Sequence, residues 1–194
     1  MKVIVGLRNP ERRYDGTRHN VGGEVVEAIA ERRNFRLRRG PRRVAASVAQ
    51  GSIDGVDVIL ALPRVSMNVS GPAVASVLRY YGASTDDLLV IHDDIDLPFG
   101  RLRLHHGRGT GGHNGVRSIV AAVGSRDFYR LKIGIGRPPG RMDPAAFVLQ
   151  RFDKDERPEI DLLVTDAADV VEQYLVDPEG AVQAAGRRRP EDPR

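Results

Sequence analysis

At 194 residues, with 41% hydrophobic and 29% charged side chains, the chain can build one globular core but not two ordinary domains. It has no cysteine, which excludes disulfides, thiolate nucleophiles and cysteine-ligated zinc, and no apolar run approaches the roughly 20 residues that span a bilayer. The net charge of +4 conceals a segregation by sign: residues 1–43 carry twelve basic and five acidic side chains, whereas residues 153–179 carry two basic and ten acidic ones.

Met1–Leu7 reads as a buried strand that Asn9-Pro10 breaks. It begins without the layout of a signal peptide, which predicts a cytoplasmic protein. From Asn20 to Arg33 the apolar positions Val21, Val25, Ala28 and Ile29 share one helical face. Val44–Gln50 and Val56–Leu62 read as strands joined through Ile53-Asp54-Gly55, a hairpin signal. Ser70 and Pro72 start a predicted helix that runs to Tyr81 and stops at Gly82. Leu88–His92 is a short apolar strand ending in acidic residues. Leu102–His105 is another, followed by a glycine-rich stretch and a helix to Val123 that Gly124 ends. Leu131–Ile135 predicts a further strand and Ile160–Leu175 a late helix. The domain is expected to span residues 1–184, with 185–194 a disordered basic tail. Strands alternating with helices indicate a single α/β domain with a largely parallel sheet, whose ligands bind outside the carboxyl ends of the strands.

Several polar residues fall at such ends. Asn9 lies just past the first strand and His19 just before the first helix. Met67-Asn68 precedes the second helix, Asp93-Asp94 follows the Leu88–His92 strand, and His113-Asn114 opens a later helix. Each alone fits a cap or turn residue. Together, three asparagines, two histidines and an aspartate on one sheet edge fit a site better. Histidine supplies a base near neutral pH, and asparagine an amide that can grip a carbonyl. Gly107-Arg108-Gly109-Thr110-Gly111-Gly112 meets the spacing of a dinucleotide fingerprint. The acidic ribose ligand expected after the next strand is replaced by Gly136-Arg137; an arginine there suits an NADP phosphate, so an NADP-dependent oxidoreductase stays open. There is neither a GxSxG elbow nor a P-loop. His92, Asp93, Asp94 and Asp96 can be drawn as a metal site, but strand alternation sends neighbours to opposite faces, and no metal or cofactor is expected. Hydrolysis by this set needs a water activated by a base. The one-sided charge suits a partner with a phosphate backbone.

Four blocks of the chain resemble the bacterial-type peptidyl-tRNA hydrolases. The first is Ile4-Val5-Gly6-Leu7-Arg8-Asn9-Pro10, continuing to Tyr14 and Thr17-Arg18-His19-Asn20-Val21-Gly22; the second runs from Pro63 through Met67-Asn68-Val69-Ser70-Gly71. The third extends from Ile91-His92-Asp93-Asp94-Ile95-Asp96-Leu97-Pro98 through Gly100 to Gly111-Gly112-His113-Asn114-Gly115. The fourth is Leu131-Lys132-Ile133-Gly134-Ile135-Gly136-Arg137-Pro138, followed by Phe147-Val148-Leu149. The resemblance implies a three-layer α/β/α sandwich around a mixed sheet and hydrolysis of the ester between peptide and tRNA, without a cofactor. It implies that His19 is the base that deprotonates water and that Asp93 fixes its tautomer. Asn9, Asn68 and Asn114 would hold the peptide and the attacked ester, Met67 would line the pocket, and Tyr14 would border it near the tRNA end. His113 would support its loop. Arg103, His105, Arg130 and Lys132 lie near positions where family members carry cations and are the expected tRNA contacts. A monomer with no membrane association is implied.

The chain departs from the family pattern at Arg8 and Arg108, where glycine is usual, at Leu62, where lysine is usual, and at Val65-Ser66, which replace a threonine and an aromatic. Where such glycines hold positive φ, each arginine would cost on the order of 1 kcal/mol. These changes are expected to reshape the rim of the site. They also keep open a non-catalytic RNA-binding relative on the same fold.

Overall fold

The computed structural model describes residues 1–190. The chain runs β1 (Lys2–Gly6), α1 (Val21–Arg32), β2 (Arg38–Arg39), β3 (Ala46–Ile53), β4 (Val56–Pro63), α2 (Ser70–Tyr81), β5 (Leu88–Asp94), β6 (Leu102–His106), α3 (Asn114–Val123), β7 (Tyr129–Gly134), α4 (Pro144–Val148), α5 (Arg157–Val176) and α6 (Pro178–Arg187). The strands form one sheet in the order β2-β3-β4-β1-β5-β7-β6. Its middle is parallel, with β1 paired to β4 and β5, and β5 to β7. Both flanks are antiparallel, through β2–β3, β3–β4 and β6–β7. The expectation of a largely parallel sheet therefore holds only at the centre. The tight Asp54-Gly55 hairpin (φ 50° and 84°) forces one flank, and β6 runs back beside β7 on the other.

Alternation along the central strands feeds two cores. Ile4, Leu60 and Leu89 pack on one face with α1, α5 and α6, whereas Val3, Val5, Ile59 and Val90 pack on the other with α2 and α3. All seven residues of β5 are buried, as expected for a central strand covered on both faces. The result is a three-layer α/β/α sandwich.

Two helices escape the apolar-periodicity reading because they bury few large side chains. α4 is only five residues long, and α6 buries only Ala181 and Ala185. Their starts are nevertheless written as Asp-Pro: Asp143 accepts from the Ala145 N–H and Asp177 from the Gly180 N–H. The expected domain end at residue 184 falls within α6, which continues to Arg187. Arg188 is then held by the carboxylates of Glu159 and Asp166 and by the Gly100 carbonyl. Residues 191–194 of the expected tail lie outside the described residues.

One close approach positions the first helix over the sheet. A Cβ at Gly22 would fall 2.2 Å from the Ile91 carbonyl oxygen, and one at Gly6 would fall 2.4 Å from the Gly22 carbonyl oxygen. Two glycines thus let the start of α1 rest directly on β1 and β5. Gly22→Ala is expected to destabilise the protein by about 1–3 kcal/mol through overpacking and to widen the gap between the residues just before α1 and the end of β5. Thermal melting and activity, measured on the same preparation, should both fall.

Candidate active site

β1, β4 and β5 present their carboxyl ends side by side, and the residues that follow them converge. The Asn9 N–H donates to Asn20 Oδ1 at 2.8 Å, and Asn20 Nδ2 donates back to the Asn9 carbonyl at 3.0 Å. This pair of bonds ties the segment after β1 to the 3-10 turn Arg18–Asn20 that carries His19. Asn9 Oδ1 accepts from the Met67 N–H at 2.8 Å, which fixes the oxygen end of its amide. Its NH2 is then the end left for a ligand.

His19 meets Asp93 at the end of β5. Alternation sends Asp93 toward the α1 face, and His19 Nδ1 lies 2.9 and 3.1 Å from its two carboxylate oxygens. The same carboxylate receives His113 Nε2 at 3.0 Å. His113 is the N-cap of α3, and its Nδ1 accepts from the Val116 N–H at 3.3 Å. That bond assigns the proton of the ring to Nε2, so His113 donates to Asp93. Asp93 thus accepts from two imidazoles, and His19 is left with a protonated Nδ1 and a lone pair at Nε2. The three side chains are close enough to hold an ion. Their hydrogen bonds account for the arrangement without one, because a protonated His113 Nε2 cannot ligate.

The electrostatics follow from burial and proximity. Burial alone would depress the basicity of His19, but the charge and hydrogen bond of Asp93 outweigh it and raise the pKa above the ordinary 6.5. Burial would push the Asp93 pKa up, yet His19 and His113 together hold it well below the carboxylate range. His92, on the opposite side of β5, donates from Nδ1 to the Asp93 carbonyl at 2.7 Å and sets its ring edge-on to His113. Burial keeps it neutral, with its pKa well below 6.5.

His19 opens onto a cavity of about 330 Å³ that Asn9, Tyr14, Met67, Asn68 and Asn114 also line. Every residue expected in the catalytic and peptide-binding set therefore comes to one place. Asn68 and Asn114 are exposed, and their side chains have no hydrogen-bond partner among the described residues. Met67 is buried beneath them. Ala145, Val148 and Leu149 wall the far side. That wall is clamped to the His19 turn by the buried Arg18, which stacks between Phe147 and Phe152. Arg18 also donates to the Arg151 carbonyl and to Glu156, each at 2.5 Å. Asn20, Arg18 and the His113–Asp93 bond are the contributions that sequence reasoning missed. Asn20 and Arg18 flank His19 in the chain, and His113 occupies an N-cap. Adjacency and capping position were the available signals.

The expected tRNA contacts divide. Arg103 is exposed. Lys132 is tied to Asp94 at 2.6 Å. His105 is half-buried, and burial with Arg130 and Lys132 nearby lowers its pKa to about 4, so it carries no charge at neutral pH. Arg130 is fully buried and donates to the Gly109 and Arg108 carbonyls, which makes it a support of the glycine-rich loop and not a contact for RNA. The strain expected at two arginines is absent. Neither Arg8 nor Arg108 is among the positive-φ residues. Arg8 instead lies over Gly23 and pairs with Glu27 at 2.6 Å. Leu62 is buried in the core, and Ser66 reaches the cavity wall. The dinucleotide reading fails on topology: the strand before the glycine loop is β6, an antiparallel edge strand, whereas that fingerprint needs a parallel βαβ unit.

An imidazole oriented by a buried carboxylate and opening on amide groups defines the class as a hydrolase. Comparison with known proteins narrows it. A sequence model of the peptidyl-tRNA hydrolases matches residues 3–191. The peptidyl-tRNA hydrolase of Mycobacterium tuberculosis is 48% identical over 173 residues, covering 89% of this chain and 90% of that protein. The one from Rhodococcus jostii is 46% identical over 173 residues, with 89% and 90% covered. The crystal structure of the Acinetobacter baumannii peptidyl-tRNA hydrolase superimposes with a TM-score of 0.90 at 33% identity, over 98% of this chain and 96% of that one. The chain belongs to the peptidyl-tRNA hydrolase family.

Proposed function

We propose that the protein hydrolyses the ester between the peptide and the terminal ribose of peptidyl-tRNA, with His19 as the base and Asp93 as the residue that orients it. The observation that carries this reading is the Asp93–His19 Nδ1 bond at 2.9 Å. It turns the lone pair of Nε2 toward the cavity that Asn9, Asn68 and Asn114 share. His19 takes a proton from a water as that water attacks the ester carbonyl. The resulting oxyanion receives hydrogen bonds from the asparagine amides, whose donors are worth most where charge develops. Collapse expels the ribose oxygen, which takes the proton back from the imidazolium. Asn9 is the best-fixed donor, since its oxygen is already committed to Met67.

The same amides favour an N-acylated substrate. A peptide brings neutral amide groups that pair with carboxamides, and a free aminoacyl end has none to offer them. Tyr14 borders the entrance, and Arg103, exposed on β6, is the retained candidate for the ribose-phosphate backbone. A substrate released from ribosomes supports a cytoplasmic setting. No helix among the described residues is long and apolar enough to cross a membrane.

The test is ester cleavage followed on N-acetyl-aminoacyl-tRNA and on the same tRNA carrying the free amino acid. The acylated substrate should be cleaved at least tenfold faster. Binding of the acylated tRNA without cleavage would instead select the non-catalytic relative.

A further inference from the structure

We propose that the groove between α2 and α3 binds the part of the peptide upstream of the ester, and that Arg117 selects peptides with acidic side chains there. This rests on the esterase reading above. The groove, about 520 Å³, opens off the His19 cavity and shares Asn68 and Asn114 with it. Val69 and Pro72 form one apolar wall and Ala121 and Ala122 the other. Val69 is one of the few large hydrophobic side chains left exposed, at 47%.

The two helices are held together directly behind it. A Cβ at Gly71 would fall 2.0 Å from the Ser118 carbonyl oxygen, and the Gly71 N–H donates to Ser118 Oγ at 2.9 Å. From Asn114 to Ala122 the helix advances about 12 Å, the length of three to four extended residues. The groove is therefore long enough for a short stretch of chain leaving the ester.

The two substituents of the ester must leave the cavity in different directions. One exit is this apolar groove. Its apolar walls suit a peptide better than the polyanionic tRNA. Arg117 is the single cation of the groove, is exposed, and has no carboxylate within 4.0 Å among the described residues. The sole hydrogen bond of its side chain is a long one, 3.4 Å, to the Gly112 carbonyl. One free cation beside apolar walls fits a side-chain carboxylate better than a phosphate backbone, which several cations would meet in a row.

The experiment uses N-acetylated tripeptidyl-tRNAs that share the tRNA and an ester-linked alanine and carry two upstream residues that are both Glu, both Gln or both Lys. Each kcat/KM is divided by that for N-acetyl-alanyl-tRNA, which does not reach the groove. The wild type should prefer Glu to Gln and Gln to Lys by about two- to fivefold per step, as an exposed ion pair allows. Arg117→Gln should level the three ratios, and Arg117→Glu should invert their order. Equal ratios in the wild type would overturn the proposal. So would an Arg117→Gln variant that loses the same factor on every substrate and becomes less sensitive to salt, since that is the signature of a phosphate contact. Failure of the wild type to cleave N-acetyl-alanyl-tRNA at all would strike the esterase reading instead.

Discussion

Replacing His19 by alanine is expected to lower kcat/KM on N-acetyl-aminoacyl-tRNA by about 10²–10⁴-fold, the usual contribution of a positioned base. The ring also occupies a buried place beside His113, with centroids 4.8 Å apart. His19→Gln, which fills more of that space without a basic nitrogen, therefore belongs in the same comparison. Both variants should retain tRNA binding, measured by filter retention or anisotropy, because the expected RNA-facing cation lies elsewhere. A variant that keeps more than a tenth of wild-type kcat/KM would remove His19 from the role of base.

Asp93→Asn is expected to produce the second large loss, again about 10²–10⁴-fold, for a reason specific to this site. Asp93 accepts from two imidazole N–H groups, His19 Nδ1 and His113 Nε2. An asparagine amide has one oxygen and one NH2. It can satisfy one ring as an acceptor but turns its NH2 toward the other. His113 is pinned by the Val116 N–H, so His19 is the ring driven to present Nδ1 as an acceptor. Its proton then moves to Nε2, where the lone pair is needed.

The pH profile separates this from simple unfolding. His19 acts as its neutral form, so wild-type kcat/KM should fall tenfold per unit as pH drops below a pKa that Asp93 raises above 6.5. Without the carboxylate, only burial remains, and it lowers the pKa. The acid limb of the Asp93→Asn variant should therefore move to lower pH while its plateau drops. An acid limb that stayed in place would mean that Asp93 does not set the basicity of His19. Thermal melting should show a loss of about 1–3 kcal/mol, because one buried donor is left without an acceptor.

The scatter of the site along the chain explains how much of it was legible. His19, Asp93, Asn9, Asn68 and Asn114 each stand where a strand ends or a helix begins. Period-two and helical patterning locate those ends well when the flanking residues are strongly apolar, as around Leu88–Ile91. Patterning says nothing about which ends meet. That was decided by the strand order, which places β1 between β4 and β5 and so gathers three carboxyl ends. Glycines sharpen the convergence. Gly22 lets the His19 turn settle onto β5, and a sequence cannot show that its hydrogen is the only substituent that fits against the Ile91 carbonyl. The basic residues were the least legible. Arg103 and Arg130 are the same residue type on successive strands, yet one is exposed and the other fully buried under the glycine loop. Side-chain chemistry is identical in both, and only tertiary packing distinguishes a cation offered to solvent from one used to hold two carbonyls.

By itself, then, the amino-acid order determined the alternating elements, the hairpin at Asp54-Gly55 and the residue types available for chemistry. These are local consequences of periodicity, turn conformation and functional groups. The tertiary structure decided the antiparallel return of β6 beside β7, the shared carboxylate between His19 and His113, and the groove that carries Arg117. Each of these depends on contacts between residues far apart in the chain, set by which strand lies beside which and how closely the helices approach them.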